Sequence, residues 1–376
     1  MKIRSVDIYI LDIPTVRPHQ LAMHTIVEQS IVVGRIINDE GLEGWSEVAT
    51  IGGASYGEGT PEAIKANIDK YITPHLIGKD PIYYSNIMFE ISKAVRGNYF
   101  AKAVVETAMI DLLAKSKNIP AYELLGGKIH DSLPLAWTLA SGDTVKDIEE
   151  AKEFLRQKRH KIFKLKIGKG DPYKNVDHVI KIIAAVGDQA RITVDVNQAW
   201  DETTANYCIE ALQEGGVSMV EQPLPTWNVE GMARLTERFK VPIMADESAN
   251  SVQEIYQITK HRFGNSIALK PCKHGGLIET KKVAAIAEGA GFGLYGGTMI
   301  ESSLGTAVCA SVYATIPEFE FGTELFGPML FKDRITVKDI QFNNFEIVIP
   351  DGPGFGMEID LEKVKHYSRE YSYSLN

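Results

Sequence analysis

The chain has few cysteines, no long apolar run and no concentration of basic residues, and each absence excludes a class of protein. Its three cysteines, Cys208, Cys272 and Cys309, show no CxxC or Cys/His spacing, so we expect neither a disulfide framework nor a thiolate zinc site. No stretch approaches the roughly 18 consecutive apolar residues of a membrane span, and the N-terminus lacks the apolar core of a signal peptide. We therefore expect a cytoplasmic protein with no membrane partner.

The charge balance excludes a further class. Over 376 residues the formal net charge is −9, and no cluster of Lys and Arg could follow a phosphate backbone. We predict that the protein has no nucleic-acid partner. A chain of this length, 44% of it hydrophobic, suits a barrel of about 250 residues with an additional layer.

What the chain does contain is a regular series of apolar runs that end in charge. Asp195, Glu221, Asp246 and Lys270 each close such a run, 24 to 26 residues apart, with helix-like segments between them. This length suits a strand, a helix and a return strand, so the series predicts alternating β and α units around parallel strands. A doubly wound open sheet would explain one charged strand end. Charges on four consecutive strands favour a barrel, whose chemistry lies at the carboxyl ends of its strands.

The first 125 residues follow a different pattern. Alternating segments predict antiparallel strands with a hairpin at 38–41, and a block of amphipathic helices follows them. We predict an α+β capping domain over 1–125, completed by a returning tail over 333–376, and a barrel over 126–332. The fold class is then α/β, a modified TIM barrel of the (β/α)7β type with an α+β capping domain.

Particular segments are assigned within this scheme. The first barrel strand is expected within 133–142, and the last two within 291–297 and 319–325. Two loops of the capping domain, 15–25 and 50–59, are long and carry more apolar residues than exposed connections need. We predict that both are lids over the site.

Three of the four charged strand ends are carboxylates. Asp195, Glu221 and Asp246 would supply three negative oxygen ligands with no thiol or imidazole nearby, which suits Mg²⁺ or Mn²⁺ and disfavours Zn²⁺. Without a cation, three converging carboxylates would repel one another. We therefore predict one divalent ion, Mn²⁺ or Mg²⁺, with Asn197 and Glu247 as neighbours that support its ligands.

Lysines accompany the carboxylates. Lys164 and Lys166 lie two residues apart on one apolar run, so their side chains share a face of the strand. Two adjacent ammonium groups favour the neutral form of one, which predicts a lysine of lowered pKa that can act as a base. With Lys270 on the strand after Asp246, three lysines and a divalent ion outweigh three carboxylates. We expect an anionic substrate, with a carboxylate at the metal and an acidified α-proton.

Together these residues resemble the enolase superfamily, specifically its muconate-lactonizing subgroup, and the resemblance covers essentially the whole chain. The KxK pair at Lys164 and Lys166, the three carboxylates and Lys270 carry it. The loops are similar to those of the muconate cycloisomerases of aromatic degradation at LAMHT (21–25), TIGG (50–53), AWTLASGDT (136–144), FKLKIG (163–168), DVNQ (195–198), MADES (244–248), LYGGTM (294–299) and GTELFGP (322–328).

The resemblance implies a metal-dependent isomerase that reversibly lactonizes cis,cis-muconate, a small dicarboxylate, through an enolate in aromatic catabolism. It implies that Lys166 transfers the proton at the α-carbon, that Lys164 tunes it and touches the substrate, and that Lys270 assists from the opposite face. Glu324 becomes a site residue on the eighth strand. The substrate pocket would include Ile51, Tyr56, Phe326 and His24. Relatives are often octamers, so the resemblance implies a homo-oligomer.

Other readings stay open at this point. A dipeptide epimerase or N-acylamino acid racemase of the same fold uses the two lysines as opposed bases, although the lid and GTELFGP motifs disfavour it. An acid-sugar dehydratase is disfavoured because LYGGT (294–298) offers no His base. A non-catalytic metal-binding relative is disfavoured by the retention of every lysine and ligand. Pro271 and Cys272 depart from the aliphatic and small residues usual in the subgroup.

Overall fold

Three antiparallel strands begin the chain in the computed structural model, which describes residues 1–21, 24–56 and 59–369. They are β1 (Ile3–Gln20), β2 (Thr25–Asn38) and β3 (Glu43–Thr50), in that spatial order. The predicted hairpin at 38–41 is present. Its turn forms because Asn38 Oδ1 accepts the amides of Glu40 and Leu42, and because Gly41 adopts a φ of 83° that favours glycine. Residues 22–23 and 57–58 of the predicted lids, and 370–376 of the tail, lie outside the described residues.

Four helices follow β3, and the first and the last of them pack against the sheet. They are α1 (Pro61–Asn67), α2 (Thr73–Leu76), α3 (Tyr84–Ala94) and α4 (Tyr99–Ser116). The Thr60 side chain accepts the Ala63 amide and so begins α1, and a π-helical turn over Ile68–Ile72 joins α1 to α2. Helix α4 is buried on every side from Phe100 to Ala114, because it contacts both the sheet and the barrel.

The barrel sheet contains seven parallel strands whose spatial order is their sequence order. After a short strand β4 (Ser132–Pro134), which lies outside this sheet, its members are β5 (Ala136–Leu139), β6 (Ile162–Lys166), β7 (Arg191–Asp195), β8 (Val220–Glu221), β9 (Ile243–Ala245), β10 (Ser266–Leu269) and β11 (Gly293–Gly296). The connecting helices are α5 (Thr144–Arg156), α6 (Pro172–Val186), α7 (Glu202–Glu214), α8 (Val229–Arg238), α9 (Val252–His261), α10 (Pro271–His274), α11 (Leu277–Gly289) and α12 (Ser303–Tyr313). The predicted alternation of β and α units is confirmed.

One residue closes the barrel where a full eighth strand was predicted. Thr323 forms parallel bridges with Gly296 at the end of β11 and with Leu135 beside β5. Its carbonyl accepts the Ala136 amide at 2.7 Å, and the Glu324 amide donates to the Gly296 carbonyl at 2.7 Å. The eighth strand expected within 319–325 is therefore reduced to a short bridged segment, which nevertheless brings Glu324 to the carboxyl end of the barrel.

Two apolar clusters hold these layers. Met219, Met244, Ala268, Tyr295 and Phe321 form a small cluster of their own. A larger continuous core fills the space between strands and helices and extends under the N-terminal sheet. Within the described ranges, no helix is both long enough and apolar enough to cross a membrane.

The C-terminal segment contacts both parts of the molecule. Strands β12 (Phe342–Asn343) and β13 (Glu346–Val348) form a sheet with β4, and α13 (Leu361–Tyr367) follows. Ser368 then bridges to Leu11 of β1, and the Phe355 amide donates to Asp111 of α4. These contacts agree with a tail that returns to the N-terminal layer, while the domain limits 1–125, 126–332 and 333–376 stay a prediction.

Candidate active site

The strand register places the predicted residues side by side. In the parallel pairing, Lys166 on β6 is opposite Asp195 on β7, and Asp195 is opposite Glu221 on β8. Asp246 follows the end of β9, and Lys270 follows the end of β10. Carboxyl ends of parallel strands meet at one edge, so these charges share the mouth of the barrel.

Lys164 is enclosed by acidic side chains. Its Nζ lies 2.6 Å from Glu221 Oε2 and 2.6 Å from Glu324 Oε2, and 4.3 Å above the centre of the Tyr295 ring. Burial lowers the pKa of Lys164, but the two carboxylates raise it more, to well above its usual value. Burial raises the pKa of Glu324, but Lys164, Lys166 and the Thr138 hydroxyl together lower it to about 2. Lys164 is therefore a fixed cation, and Glu324 its fixed anion.

Lys166 donates a hydrogen bond to Asp195 Oδ2. Burial lowers its pKa and Lys164 acts in the same direction, but Asp195 raises it, with a net shift upward. The prediction that the lysine pair lowers the pKa of one member is therefore wrong for these side chains. Both lysines do lie within the same charge network, but each has a carboxylate partner of its own.

Lys270 and the lid residue Tyr56 meet at Asp246. Lys270 Nζ lies 2.7 Å from Asp246 Oδ2 and donates to Tyr56 Oη at 2.6 Å, while Tyr56 Oη itself donates to Asp246 Oδ2. The ammonium also lies 4.4 Å from the centre of the Tyr56 ring. Tyr56 therefore reaches from the predicted lid into the charged cluster.

Lys273 is a site residue that the sequence interpretation missed. It is 1% exposed and donates to Asp246 Oδ1 at 2.6 Å and to the Asp246 carbonyl at 2.7 Å. Burial raises the pKa of Asp246, but Lys270 and Lys273 lower it more, to well below its usual value. Lys273 lies on the one-turn helix α10 rather than at a strand end, so the spacing argument did not include it.

Asn197 and Glu247 are positioned as neighbours of the predicted ligands. The Asn197 amide and side chain donate to Asp195, and Asn197 Nδ2 also donates to Glu247 Oε1 at 3.2 Å. Burial and the nearby Asp246 raise the pKa of Glu247 to about 7. Gln222, which the sequence analysis also missed, accepts the amides of Asp246 and Ser248 on one side-chain oxygen. It orders the turn that follows β9.

Of the other residues predicted to line the substrate pocket, two are buried and one is exposed. Ile51 and Phe326 are buried, and the Phe326 ring packs between Trp137, at 4.9 Å, and His19, at 6.1 Å between ring centres. His24 is exposed and lies beside Gly52 of the other predicted lid. Its assignment to the substrate pocket stays a prediction, whereas His19, which was not singled out, is buried against a predicted pocket residue.

The side chains present fit an oxygen-coordinated divalent ion. Within the described residues, no three His, Cys, Asp or Glu side chains already converge as a ligand group, and Asp195 and Asp246 are engaged by lysines. However, Asn197 Oδ1 and Glu247 Oε2 are buried and accept no hydrogen bond from the residues that the structure describes, and Glu221 Oε2 lies 2.6 Å from the Lys164 ammonium. Leaving such oxygens unpaired is costly, and a hard cation would satisfy them.

Comparison with known families decides the relationship. The N-terminal domain model of the mandelate racemase / muconate lactonizing enzyme family matches residues 5–126, and the model for enolase C-terminal domain-like proteins matches residues 146–364. The chain belongs to the mandelate racemase / muconate lactonizing enzyme family. Enzymes of this family depend on a divalent metal ion.

Individual relatives agree with this assignment. Muconate cycloisomerase 1 of Acinetobacter baylyi is 46% identical over 97% of this chain and 99% of its own length. A chloromuconate cycloisomerase of Cupriavidus necator is 44% identical over 98% of this chain and 100% of its own. The crystal structure of muconate lactonizing enzyme from Pseudomonas fluorescens with muconolactone superposes with a TM-score of 0.96 at 43% identity, over 98% of this chain and 99% of that one. The predicted fold class and family are confirmed.

Proposed function

We propose that this protein is a muconate cycloisomerase, an isomerase that reversibly converts cis,cis-muconate to muconolactone in the catechol branch of aromatic catabolism. One relationship supports the proposal most. Lys166 on β6 and Lys270 after β10 flank the three carboxylates, two of which end β7 and β8 while the third follows β9. A substrate lying over these carboxylates would thus have a lysine on each side. Nearly full-length similarity to muconate and chloromuconate cycloisomerases supports the choice of substrate.

The roles of the side chains follow from this arrangement. A divalent ion, Mn²⁺ or Mg²⁺, held by Asp195, Glu221 and Asp246 with Asn197 and Glu247 beside them, would supply positive charge that stabilises an enolate. In lactonization one carboxylate of the substrate adds to the diene, forming a C–O bond, and the electron pair moves to the enolate. Lys166 then gives its proton to the α-carbon, and takes it back in the reverse direction.

The other charged groups hold the site in its working state. Lys164 and Glu324 neutralise each other behind Lys166, so that Lys166 keeps a defined position and charge. Lys270 assists electrostatically from the far side, and Tyr56 holds it there. Counted together, Lys164, Lys166, Lys270 and Lys273 face five acidic groups. A divalent ion would therefore make the net charge of the site positive, which favours a dicarboxylate.

Assembly and location are part of the proposal. A homo-oligomer is part of it because the resemblance to the family implies one. An octamer is proposed by analogy alone. Cytoplasmic localisation stays a prediction.

The test follows the diene absorbance of cis,cis-muconate after metal is added to metal-free enzyme, with a chloromuconate, dipeptides and N-acylamino acids assayed in parallel. We expect metal-dependent loss of the muconate absorbance and lactone formation. Turnover of the dipeptides or N-acylamino acids with inert muconate would establish the epimerase or racemase alternative instead. Binding of metal without turnover of any substrate would favour the non-catalytic relative.

A further inference from the structure

His19 is a buried, neutral imidazole beside the proposed proton-transfer residue. It lies near the end of β1, paired with Ile26 of β2, and is 1% exposed. Its Nδ1 is buried and has no hydrogen-bond partner among the residues that the structure describes. A buried polar nitrogen without a partner destabilises a protein, so such an atom calls for an explanation.

The surroundings of His19 are those of the site and not of an ordinary core. Its ring packs on Phe326 at 6.1 Å between centres, two residues beyond Glu324. Burial lowers the pKa of His19, and the nearby charges of Lys166 and Arg17 lower it further, to about 3. The ring therefore stays neutral at any working pH, with one N–H to donate and cationic groups nearby that attract an anion.

Other occupants of this position fit less well. The Lys166 ammonium is already bonded to Asp195, and Arg17 pairs with Glu150 at 3.4 Å. A further cation would be repelled by Lys166 and Arg17. An anion that reaches Lys166 could accept from the imidazole without taking Lys166 away from Asp195.

We propose that His19 binds a carboxylate of the substrate, the one remote from the metal ligands, through a hydrogen bond donated by Nδ1. This inference rests on the proposed function, since it concerns the second carboxylate of a dicarboxylate. It makes His19 a specificity-determining residue: the site would select dicarboxylates over monocarboxylates, and the bond would orient the carboxylate that adds to the diene.

The test compares two saturated six-carbon acids, adipate with two carboxylates and hexanoate with one, by calorimetry on the metal-loaded protein. We expect the wild type to bind adipate more tightly than hexanoate. His19→Leu keeps the packing on Phe326 but should weaken adipate binding about 10- to 100-fold, with hexanoate unchanged. His19→Asn, whose amide nitrogen can replace Nδ1, should stay within about threefold of the wild type.

His160→Leu is the matched control, because His160 is also buried in the aromatic cluster, 5.2 Å from the Trp137 ring, and its Nε2 also has no partner among the described residues. It should preserve the preference for adipate. If His19→Leu folds and keeps that preference, the inference is overturned. If His19→Leu does not fold, His19→Asn is compared with His19→Gln, whose amide reaches the position of Nε2 and not that of Nδ1. Equal affinities of these two variants for adipate would overturn the inference.

These outcomes are separable from the proposed function. Turnover of cis,cis-muconate by the wild type, with an unchanged adipate preference in His19→Leu, would refute the role of His19 and leave the function standing. A wild type that binds adipate through His19 but leaves muconate unchanged would refute the function and leave a dicarboxylate site.

Discussion

Lys273 holds Asp246 at two points, its side-chain Oδ1 and its main-chain carbonyl, at 2.6 and 2.7 Å. The other carboxylate oxygen, Oδ2, contacts Lys270 and Tyr56. One oxygen of this proposed metal ligand is thus bound by a buried cation, while the other faces groups at the mouth of the barrel. Lys273 therefore fixes the direction in which Asp246 presents Oδ2.

Replacing Lys273 with Met tests this relationship. Lys273→Met leaves Asp246 Oδ1 without its donor while Lys270 still pairs with Oδ2, so we expect it to lower the free energy of unfolding by about 2 kcal/mol and to weaken metal binding. Chemical denaturation and metal titration measure the two effects. Lys282→Met, which removes an exposed pair with Glu279, is the control and should change stability by less than about 0.5 kcal/mol. If Lys273→Met changes the free energy of unfolding no more than Lys282→Met does, the buried hydrogen bonds of Lys273 contribute little to stability.

Lys166→Ala should separate proton transfer from metal binding. Loss of a positioned general acid typically lowers a rate by about 10²- to 10⁴-fold, and we expect this fall in kcat with cis,cis-muconate. Metal affinity should persist, because the three carboxylates are retained. Lys181→Ala, at an exposed lysine paired with Asp177, is the control for surface charge. An active Lys166→Ala enzyme would refute Lys166 as the proton donor.

Gly297→Ala should displace Lys270 without changing a charged residue. A Cβ at Gly297 would lie 2.7 Å from Lys270 Cε, 2.9 Å from Lys270 Cγ and 3.1 Å from the Leu269 carbonyl. The Lys270 side chain must therefore shift, which disturbs its contacts with Asp246 and Tyr56. We expect kcat to fall about 10- to 100-fold, since displacements of about 1 Å at a catalytic site have effects of this size.

The control for Gly297→Ala is Gly289→Ala, at a helical glycine where an added Cβ meets no atom within 4 Å. It should leave kcat unchanged. Circular dichroism and thermal unfolding distinguish a shifted lysine from a damaged fold. Normal kcat in a well-folded Gly297→Ala enzyme would mean that Lys270 can move without loss of function.

The sequence predicted the residues that are fixed by local patterns. Apolar runs that end in charge identified Asp195, Glu221, Asp246 and Lys270, because a parallel strand carries its last residue to the mouth of the barrel. Thr323 replaced a predicted strand because the closing hydrogen bonds depend on how Gly296 and Leu135 approach each other, which no local pattern records.

The missed site residues depend on contacts across long sequence separations. Lys273 follows Pro271 on a single helical turn, and its partner is 27 positions earlier in the chain. His19 was missed because the loop predicted at 15–25 is β-strand as far as Gln20. Thr15 and His19 are both buried and lie on the same face of the strand, because side chains alternate between faces. This alternation can be read from the sequence and would have identified His19 as a buried residue.

Glu106 explains why a glycine, Gly276, precedes helix α11. The Glu106 carboxylate, on α4, accepts hydrogen bonds from the amides of Leu277 at 2.6 Å and Ile278 at 3.1 Å. These bonds join α4 to the first turn of α11. A Cβ at Gly276 would lie 2.1 Å from Glu106 Oε2, and Gly276 also has a φ of 130°. Glycine is required there because a buried carboxylate approaches the backbone of the barrel.

This buried contact should make stability depend on pH. Burial raises the pKa of Glu106 from 4.5 to about 7, although the two amides oppose the shift. Between these values the folded protein binds the proton more readily than the unfolded chain, so stability falls as pH rises. Glu106→Gln removes the titration. The unfolding free energy of the wild type relative to Glu106→Gln should therefore fall by about 3 kcal/mol between pH 4.5 and pH 8, measured by denaturant titration at several pH values. Glu90→Gln, at an exposed helix position, is the control, and its unfolding free energy relative to the wild type should not change with pH in this way. If the difference for Glu106→Gln is also independent of pH, the Glu106 carboxylate is ionised in both the folded and the unfolded state.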